Sequence, residues 1–322
     1  MDAEEFRLVR EALATFAADH RCTSAEPTAA QMTAAQKALD GLGLVELRHG
    51  PRPLASAQEC ALLAEEYGRQ PLTASFLGTA LLAPEALRLL AAGEPDGAPT
   101  VALGRDLRFA RHGELVAWDA YGADRALSIA PDGTVRTHVL GAPAPTTDLL
   151  RTVRAVSGEG LTLGRLTTDQ VHAWRAWALT MVSSELVGAA GSFVEQSAAY
   201  ARDRVQYGRP IGANQAVQHL LADATVAVEA CVSATRYAAW CLDHSSPASA
   251  LTAARVAKAE VDASALEAVY AGMQVFGGIA QTWEHVAHLY LRRIRLGATV
   301  LTDTAELLSD LALSSPEPTE AK

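Results

Sequence analysis

Residues 202–224 read RDRVQYGRPIGANQAVQHLLADA, and this stretch decides the fold of the chain. A helix is predicted to end near Arg204, because Gly208 and Pro210 break the chain just after it. Asn214 is then placed to cap a new helix. The new helix has apolar residues at the spacing of a half-buried helix: Val217, Leu220, Leu221, Ala224 and Val228. The stretch therefore predicts two long helices that meet at a tight corner.

The predicted corner carries three arginines, Arg202, Arg204 and Arg209. Guanidinium groups beside a helix N-terminus favour the binding of an anion such as a diphosphate. The alternative is that these arginines are solvated or pair with acidic residues on neighbouring helices. Structural ion pairs are commoner than ligand sites, so residue types alone favour the second interpretation.

Two motifs in the second half of the chain resemble the signatures of the acyl-CoA dehydrogenase family. The first is Arg204-x-Gln206-Tyr207-Gly208-x-Pro210-Ile211, followed by Gln215, His219 and Leu221-Ala222-Asp223. The second begins 70 residues after Arg204 and reads Gln274-Val275-Phe276-Gly277-Gly278-Ile279-x-x-Thr282-x-Glu284-His285. It precedes Tyr290-Leu291-Arg292-Arg293-x-Arg295, which is also typical of the family. The resemblance is strong from Thr168 to about Gly297 and weaker before that.

The resemblance implies contacts with FAD. In the family, the motif arginine, the residue two after it and the following aromatic contact the cofactor, which lies across a subunit boundary. The two motifs reach the diphosphate and adenosine of a flavin seated in a neighbouring subunit. The cofactor-binding residues implied here are Arg204, Gln206, Tyr207, Gln215, Gln274, Gly277 and Gly278.

Composition describes a globular chain of 322 residues, 49% of them hydrophobic. A net charge of −10 argues against a nucleic-acid partner. The four cysteines lack metal-site spacing and are predicted to be buried thiols in a reducing compartment. The acidic N-terminus does not resemble a signal peptide, and no apolar run approaches the roughly 18 residues of a membrane span. We therefore predict a cytoplasmic protein without a membrane span.

The order of sequence patterns predicts three domains and a tail. Helical patterns fill residues 1–97, and short apolar or alternating runs punctuated by glycines fill residues 98–165. Residues 166–313 are predicted to form an antiparallel four-helix bundle, in which Trp174, Trp177 and Met181 lie in the core. The tail, 314–322, is predicted to be disordered. The fold class is therefore mainly α with a small β domain, resembling an acyl-CoA dehydrogenase with a reduced β-barrel or sheet.

The middle domain differs from the pattern that the resemblance implies. That domain normally begins with a Thr-Glu-Pro, Gly-Ser-Asp type of segment, which holds the flavin ring and the acyl thioester. Residues 98–165 contain no such segment and are fewer than the family's middle domain has. The chain is therefore predicted to be poorly equipped to hold a flavin ring alone.

The chain also lacks the family's catalytic base, a carboxylate that removes the α-proton of the acyl-CoA while hydride passes to the flavin. The two positions that supply it in the family match Leu301 and about Ala178, and neither is acidic. Asp303 lies two residues from the first position, and Glu185 lies two helical turns from the second. A solvated or capping carboxylate is the favoured interpretation of both, so Asp303 is kept as the candidate and no catalytic residue is assigned.

No metal site is predicted. His285 and His288 have a spacing that places both rings on one helix face, but no cysteine ligand or Glu-x-x-His pair accompanies them.

The leading functional prediction is a subunit of a flavin-dependent acyl-CoA dehydrogenase that desaturates an acyl-CoA substrate, with a sterol side-chain CoA ester as one candidate. It would contact FAD in a homologous partner subunit that carries the base, within a heterotetramer. The resemblance extends to heteromeric enzymes of actinobacterial sterol side-chain degradation, in which one subunit has lost the base. Two alternatives stay open: a flavin-free interaction or scaffold protein, and a homomeric flavoprotein with altered chemistry.

Overall fold

The computed structural model of the chain describes residues 2–91, 97–110 and 113–314. The predicted tail therefore lies outside the described residues, apart from Ser314. The helices are α1 (Ala3–His20), α2 (Ala29–Asp40), α3 (Ala57–Gly68), α4 (Ala83–Leu90), α5 (Thr168–Asp203), α6 (Gln215–His244), α7 (Pro247–Phe276), α8 (Ala287–Gly297) and α9 (Thr304–Ser314). The strands are β1 (Pro99–Gly104), β2 (Leu115–Trp118), β3 (Arg125–Ile129), β4 (Thr134–Ala144), β5 (Val153–Arg165), β6 (Val205–Gln206) and β7 (Arg209–Pro210). The predicted mainly α fold with a small β domain is confirmed.

The first three helices each begin with a reciprocal capping box. Asp2, Thr28 and Ser56 accept hydrogen bonds from backbone N–H groups three residues on, and the side chains there bond back. These bonds satisfy amide groups that a helix start would otherwise leave unpaired. Helix α4 begins at Ala83, directly after a wide helical turn over Leu77–Leu82.

Strands β1 to β5 close into a small barrel in the order β1-β2-β5-β4-β3. Every pair is antiparallel except β1 with β3, which is parallel and closes the barrel. Strand β5 runs unbroken from Val153 to Arg165, and β4 pairs along it with three shifts of register. Gly133, at φ +85°, lies in the turn between β3 and β4.

Helix α5 is the centre of the molecule. It starts at a capping box formed by Thr167 and Gln170. The predicted core positions Trp174, Trp177 and Met181 are all buried, which confirms that prediction. The two indole N–H groups donate to the carbonyls of residues 81 and 82, at the end of the wide turn before α4. The core helix is thereby tied to the amino-terminal helices by hydrogen bonds as well as by packing.

The length and hydropathy of α5 would also suit a membrane span, with a mean hydropathy of 1.2 over an 18-residue window. However, 94% of that window is buried inside the fold. The apolar surface of α5 is therefore already covered by the rest of the chain.

Two features of the predicted bundle are wrong. The fourth long helix is instead two helices of 11 residues, α8 and α9, which are separated at residues 298–303. Asn214 precedes α6 but makes no side-chain cap. Its amide instead donates to the carbonyl of Ile211 and accepts from Arg209, so it closes the corner rather than the helix end.

Helices α3 and α5 touch backbone to backbone through two glycines. A Cβ added at Gly188 would lie 1.9 Å from the carbonyl oxygen of Glu65, and one at Gly68 would lie 2.0 Å from that of Glu185. Real Cβ atoms do not approach carbonyl oxygens this closely, so both positions require glycine. The contact fixes the amino-terminal helices against the bundle.

The four cysteines are free thiols. Cys60, Cys231 and Cys241 are buried as predicted, whereas Cys22 is only half buried. Burial raises the pKa of Cys60 and that of Cys231 to about 12, so both stay protonated at neutral pH.

Candidate functional site

The predicted corner is a two-residue β-hairpin between α5 and α6. Val205 pairs with Pro210 and Gln206 with Arg209, and the turn between them is Tyr207–Gly208. Both turn residues have positive φ, +52° and +77°, the geometry that two-residue hairpins favour. The left-handed conformation is unfavourable for tyrosine, by about 1–2 kcal/mol. It directs the Tyr207 side chain into solvent, where the side chain is fully exposed.

Helix lengths bring the second motif to the same end of the bundle. Helices α6 and α7 have 30 residues each and are joined by Ser245 and Ser246, so the start of α6 lies beside the end of α7. Aromatic contacts confirm the position, because the rings of Tyr200 and Phe276 are 4.7 Å apart. Tyr200 lies one turn before Arg204, and Phe276 precedes Gly277. The two motifs therefore share one surface.

This surface is open to solvent. The side chains of Arg204, Gln206, Gln215 and Gln274 are all exposed. Arg204 forms no ion pair or side-chain hydrogen bond with any residue in the described parts of the chain. Its guanidinium group is therefore solvated and is not paired with an acidic residue of a neighbouring helix. Arg209 donates to Asn214, at 2.7 Å, and is already engaged.

The backbone at Gly277 and Gly278 is equally open. Gly277 ends α7 with φ +66°, a conformation that favours glycine. A Cβ at either glycine would meet no atom within 4 Å. A ligand can therefore approach this backbone closely, and its contacts would add to those of the exposed side chains.

The position that matches the family's base is filled by the chain itself. Leu301 is fully buried, and its backbone pairs with the segment after β1. Its N–H donates to the carbonyl of Leu107, at 2.7 Å, and its carbonyl accepts from Phe109, at 2.9 Å. Leu107 and Leu301 both have positive φ, +63° and +77°, which costs leucine conformational energy on each side of the contact. We call residues 104–109 the inner strap.

Asp303 is held by the same strap. Its carboxylate forms an ion pair with Arg108 and accepts from the N–H of Glu306, at 2.8 Å, in the first turn of α9. Asp303 is thus a capping and ion-paired carboxylate, which agrees with the favoured interpretation from the sequence.

Glu185 is neither solvated nor a cap, so that interpretation was wrong. It lies fully buried in a cluster with two other carboxylates and two guanidinium groups. Arg151 donates to Glu185 at 2.5 Å and to Asp119 at 2.7 Å. Arg293 bonds Glu185 at 2.8 Å and also pairs with Asp148. Burial alone would lower the pKa of Arg151, but the facing carboxylates raise it well above its usual value.

This buried cluster joins all three parts of the fold. Asp119 follows strand β2, Asp148 and Arg151 lie between β4 and β5, and Glu185 and Arg293 lie on α5 and α8. Arg293 also donates to the carbonyl of residue 72, at 3.0 Å, in the amino-terminal part. Both arginines bond Oε1 of Glu185, so its carboxylate is held inside the buried cluster.

A second buried pair was missed by the sequence reasoning. Lys258 and Asp262, one turn apart on α7, are joined at 2.5 Å, and Lys258 also donates to the carbonyls of Gly297 and Ala298 at the end of α8. Burial lowers the pKa of Lys258 and raises that of Asp262 to about 6. The i,i+4 spacing was the available signal, but it is equally typical of solvated helix pairs.

A cavity of about 1430 Å³ lies between the barrel and the end of α8. It is lined by strands β2 to β5, the inner strap, Leu296 of α8, and Thr299 just after that helix. Its wall includes a hydrogen-bonded pair, Ser128 and His138, whose Oγ and Nε2 atoms are 2.8 Å apart. Burial is the main cause that lowers the pKa of His138, and the nearby charge of Arg136 adds to it, against an opposing effect of the Gly158 backbone.

The two histidines considered as metal ligands have other roles. The ring of His285 packs on Phe276 at 4.6 Å, and that of His288 stacks on Trp283 at 4.9 Å. Within the ranges that the structure describes, no three or more His, Cys, Asp or Glu side chains are grouped to hold a metal ion. Burial lowers the pKa of His285, with a smaller effect from His288.

Comparison with known proteins agrees with the fold and the motifs. Residues 177–300 match the family model described as acyl-CoA dehydrogenase, C-terminal domain. The chain is 31% identical to acyl-CoA dehydrogenase IpdE2 of Mycobacterium tuberculosis over 79% of its length and 76% of the relative. It is 33% identical to acyl-CoA dehydrogenase IpdE2 of Mycolicibacterium smegmatis, over 79% of this chain and 77% of the relative.

Solved structures of the same fold cover nearly the whole chain. A variant of the Tcur3481–Tcur3483 steroid ACAD superposes with a TM-score of 0.79 and 22% identity, over 96% of this chain and 97% of that one. The ChsE4–ChsE5 complex from Mycobacterium tuberculosis superposes with a TM-score of 0.75 and 19% identity, over 98% of this chain and 99% of that one. At these identities the superposition establishes the fold alone. Together with the relatives above, it shows that the chain belongs to the acyl-CoA dehydrogenase family, whose members are oxidoreductases acting on acyl-CoA.

Proposed function

We propose that this chain is the base-less subunit of a heteromeric acyl-CoA dehydrogenase. In the proposed assembly, two copies of this chain and two of a fuller homologue form a cytoplasmic heterotetramer. The homologue carries the catalytic base, and this chain contributes contacts to the FAD seated in it. The substrate is an acyl-CoA, with a sterol side-chain CoA ester as the candidate, since one structure of the same fold is a steroid ACAD.

The observation that carries the proposal is the inner strap. Its backbone is hydrogen-bonded to Leu301, so the chain's own atoms occupy the place beside the position that matches the family's base. Phe109 of the strap also packs edge-on against Trp174 of α5, with ring centroids 5.7 Å apart. General-base catalysis needs a carboxylate within hydrogen-bond reach of the substrate. Here that position holds Leu301, which is fully buried and carries no carboxylate.

The exposed apolar surface near the corner supports the proposal that a partner subunit binds there. Along α6 the predicted apolar stripe is buried at Ala224 and Val228 but remains half exposed at Val217, Leu220 and Leu221, next to the corner. Val205 on the hairpin is 54% exposed. A second subunit seated here would cover this apolar surface.

The residues present at the corner fit a dinucleotide. Arg204 offers a guanidinium group without a carboxylate partner among the described residues, and Gln206 offers an amide for the diphosphate. Gln274 and Gly278 offer an amide and an open backbone for the adenosine side. FAD, when bound, supplies the hydride acceptor of the reaction. This chain's own part is to bind and orient the cofactor.

One observation favours a second candidate, the homomeric flavoprotein with altered chemistry. The 1430 Å³ cavity exceeds the roughly 300–1,000 Å³ of most small-molecule sites, so it has room for a sizeable ligand. Such a protein would hold one flavin in every chain, whereas the heteromeric assembly would not. The flavin-free scaffold would hold none.

Arg204→Ala is expected to weaken FAD binding by roughly tenfold or more, because losing a charge-assisted hydrogen bond costs about 1.5–3 kcal/mol. The measurement is the FAD dissociation constant of the assembly purified through a tag on this chain. Arg202→Ala is the matched control, since it removes an exposed arginine two residues away that lies outside the assigned contacts. Unchanged FAD affinity in a folded Arg204→Ala assembly would rule out the assigned contact.

A further inference from the structure

Trp283, just after the second motif's glycines, is 50% exposed. It follows Gly277 and Gly278 by one short turn, Gly277–Gln281, and precedes α8. The nearby ring of His285 contacts Phe276, the last residue of α7. Trp283 is therefore on the same end of the bundle as the motif residues proposed to face the adenosine.

The indole ring is fixed from the helix side. It stacks on His288 with centroids 4.9 Å apart and an interplanar angle of 14°, and the guanidinium of Arg292 lies 5.9 Å from its centroid. His288 and Arg292 are one turn apart on α8, so they support the ring from that helix. Nε2 of His288 also lies 3.1 Å from the carbonyl oxygen of Trp283, which holds the backbone in place. A half-exposed indole held this firmly has little rotamer entropy left to lose on binding.

Two polar atoms beneath the ring have no hydrogen-bond partner among the described residues. These are Nδ1 of His288 and Nε of Arg292, and both atoms are buried. Arg292 donates through Nη1 to the carbonyl of Thr147, at 3.2 Å, and forms no ion pair with a carboxylate in the described ranges. The ring support therefore carries a cation that is not neutralised by an acidic side chain among the described residues.

We propose that Trp283 is a stacking platform for the purine ring of the dinucleotide held at the corner. The proposal rests on the function inferred above and adds a residue to it that neither motif contributes as a contact. An aromatic face binds any base by stacking, so purine recognition here does not need hydrogen bonds to the base edge. FMN, which has no purine, would not use the platform.

The chain contains an internal control for this proposal. Trp240 near the end of α6 is 45% exposed and stacks on His244 at 4.8 Å and 11°, nearly the same arrangement as Trp283 on His288. It lies 25 residues along α6 from Gln215, which at about 1.5 Å per residue is close to 40 Å from the corner. The two stacks therefore share the Trp–His pair and differ in place, and Trp240 also stacks on Tyr237 at 6.2 Å.

The test titrates the assembly, purified through a tag on this chain and stripped of its flavin, with FAD and in parallel with FMN. Trp283→Ala is expected to raise the Kd for FAD by about 5- to 150-fold, the range of one base–aromatic stack. The Kd for FMN should change by less than about twofold, because FMN would not contact Trp283 and surface substitutions away from a contact have small effects. Trp283→Phe should retain most of the FAD affinity because it keeps an aromatic face, and Trp240→Ala should change neither constant.

The outcomes separate this inference from the proposed function. If Trp283→Ala leaves FAD binding unchanged while Arg204→Ala weakens it, the platform is wrong and the proposed function stands. Purine stacking is also excluded if Trp283→Ala weakens the binding of FAD and of FMN equally. It is likewise excluded if the only effect of the variant is that the assembly dissociates, as measured by light scattering. If neither variant affects FAD binding, the proposed function itself fails.

Discussion

Arg151→Met is expected to lower the free energy of unfolding by about 3–5 kcal/mol, the typical result of removing one partner from a buried ion pair. Arg151 and its partners Asp119 and Glu185 are at most 2% exposed. Without this guanidinium, three buried carboxylates face Arg293 alone, and their desolvation is no longer offset. Because the cluster joins all three parts of the fold, the loss should destabilise the whole molecule. Chemical denaturation of the purified chain measures it.

The matched control for Arg151 is an ion pair of the same length at the surface. Arg105 and Glu114 are also 2.7 Å apart, but their side chains are 79% and 76% exposed. Exposed pairs contribute about 0–1 kcal/mol, so Arg105→Met should change stability little. Equal losses in the two variants would show that burial does not determine the contribution of the cluster.

Gly188→Ala is expected to be strongly destabilising although it adds a single methyl group. The added Cβ would lie 1.9 Å from the carbonyl oxygen of Glu65, and that oxygen belongs to the backbone of α3, so it cannot rotate away. Helices α3 and α5 would have to separate. Overpacking typically costs 1–3 kcal/mol and occasionally more, and a backbone clash belongs at the upper end, about 3 kcal/mol or above. A thermal or denaturant melt gives the value.

Gly191→Ala, one turn away on the same helix, is expected not to destabilise the protein. Its Cβ would lie 3.5 Å from a methyl group of Val228, an ordinary contact. Alanine is favoured over glycine inside a helix by about 1 kcal/mol, so this variant should be as stable as the native chain or more so. A stable Gly188→Ala protein would contradict the close helix contact.

Much of the fold could be predicted because local rules act over a few residues. The capping box at Thr167, the serine and proline that start α7, and the turn at Gly133 each depend on neighbours in sequence. The apolar spacing in α5 identified a core helix for the same reason. The break between α8 and α9 was missed, since the helical pattern continues through it.

The candidate site was less predictable, because its decisive contacts join residues far apart in sequence. Nothing near Glu185 indicates that two arginines, 34 residues before it and 108 after it, surround its carboxylate. Likewise, the pairing of Leu107 with Leu301 requires two leucines in a conformation that propensity disfavours. Family resemblance located the corner residues, and the equal lengths of α6 and α7 explain why the two motifs meet.

The central claim, that this chain contacts a flavin without seating one itself, is tested most directly by counting flavins. The assembly purified through this chain is sized by light scattering, its subunits are identified by mass, and its FAD is quantified by absorbance. We predict a closed assembly of two copies of this chain and two of a homologue, with about one FAD for every two chains. A stable homotetramer of this chain alone, loaded with one FAD per chain, would contradict the account.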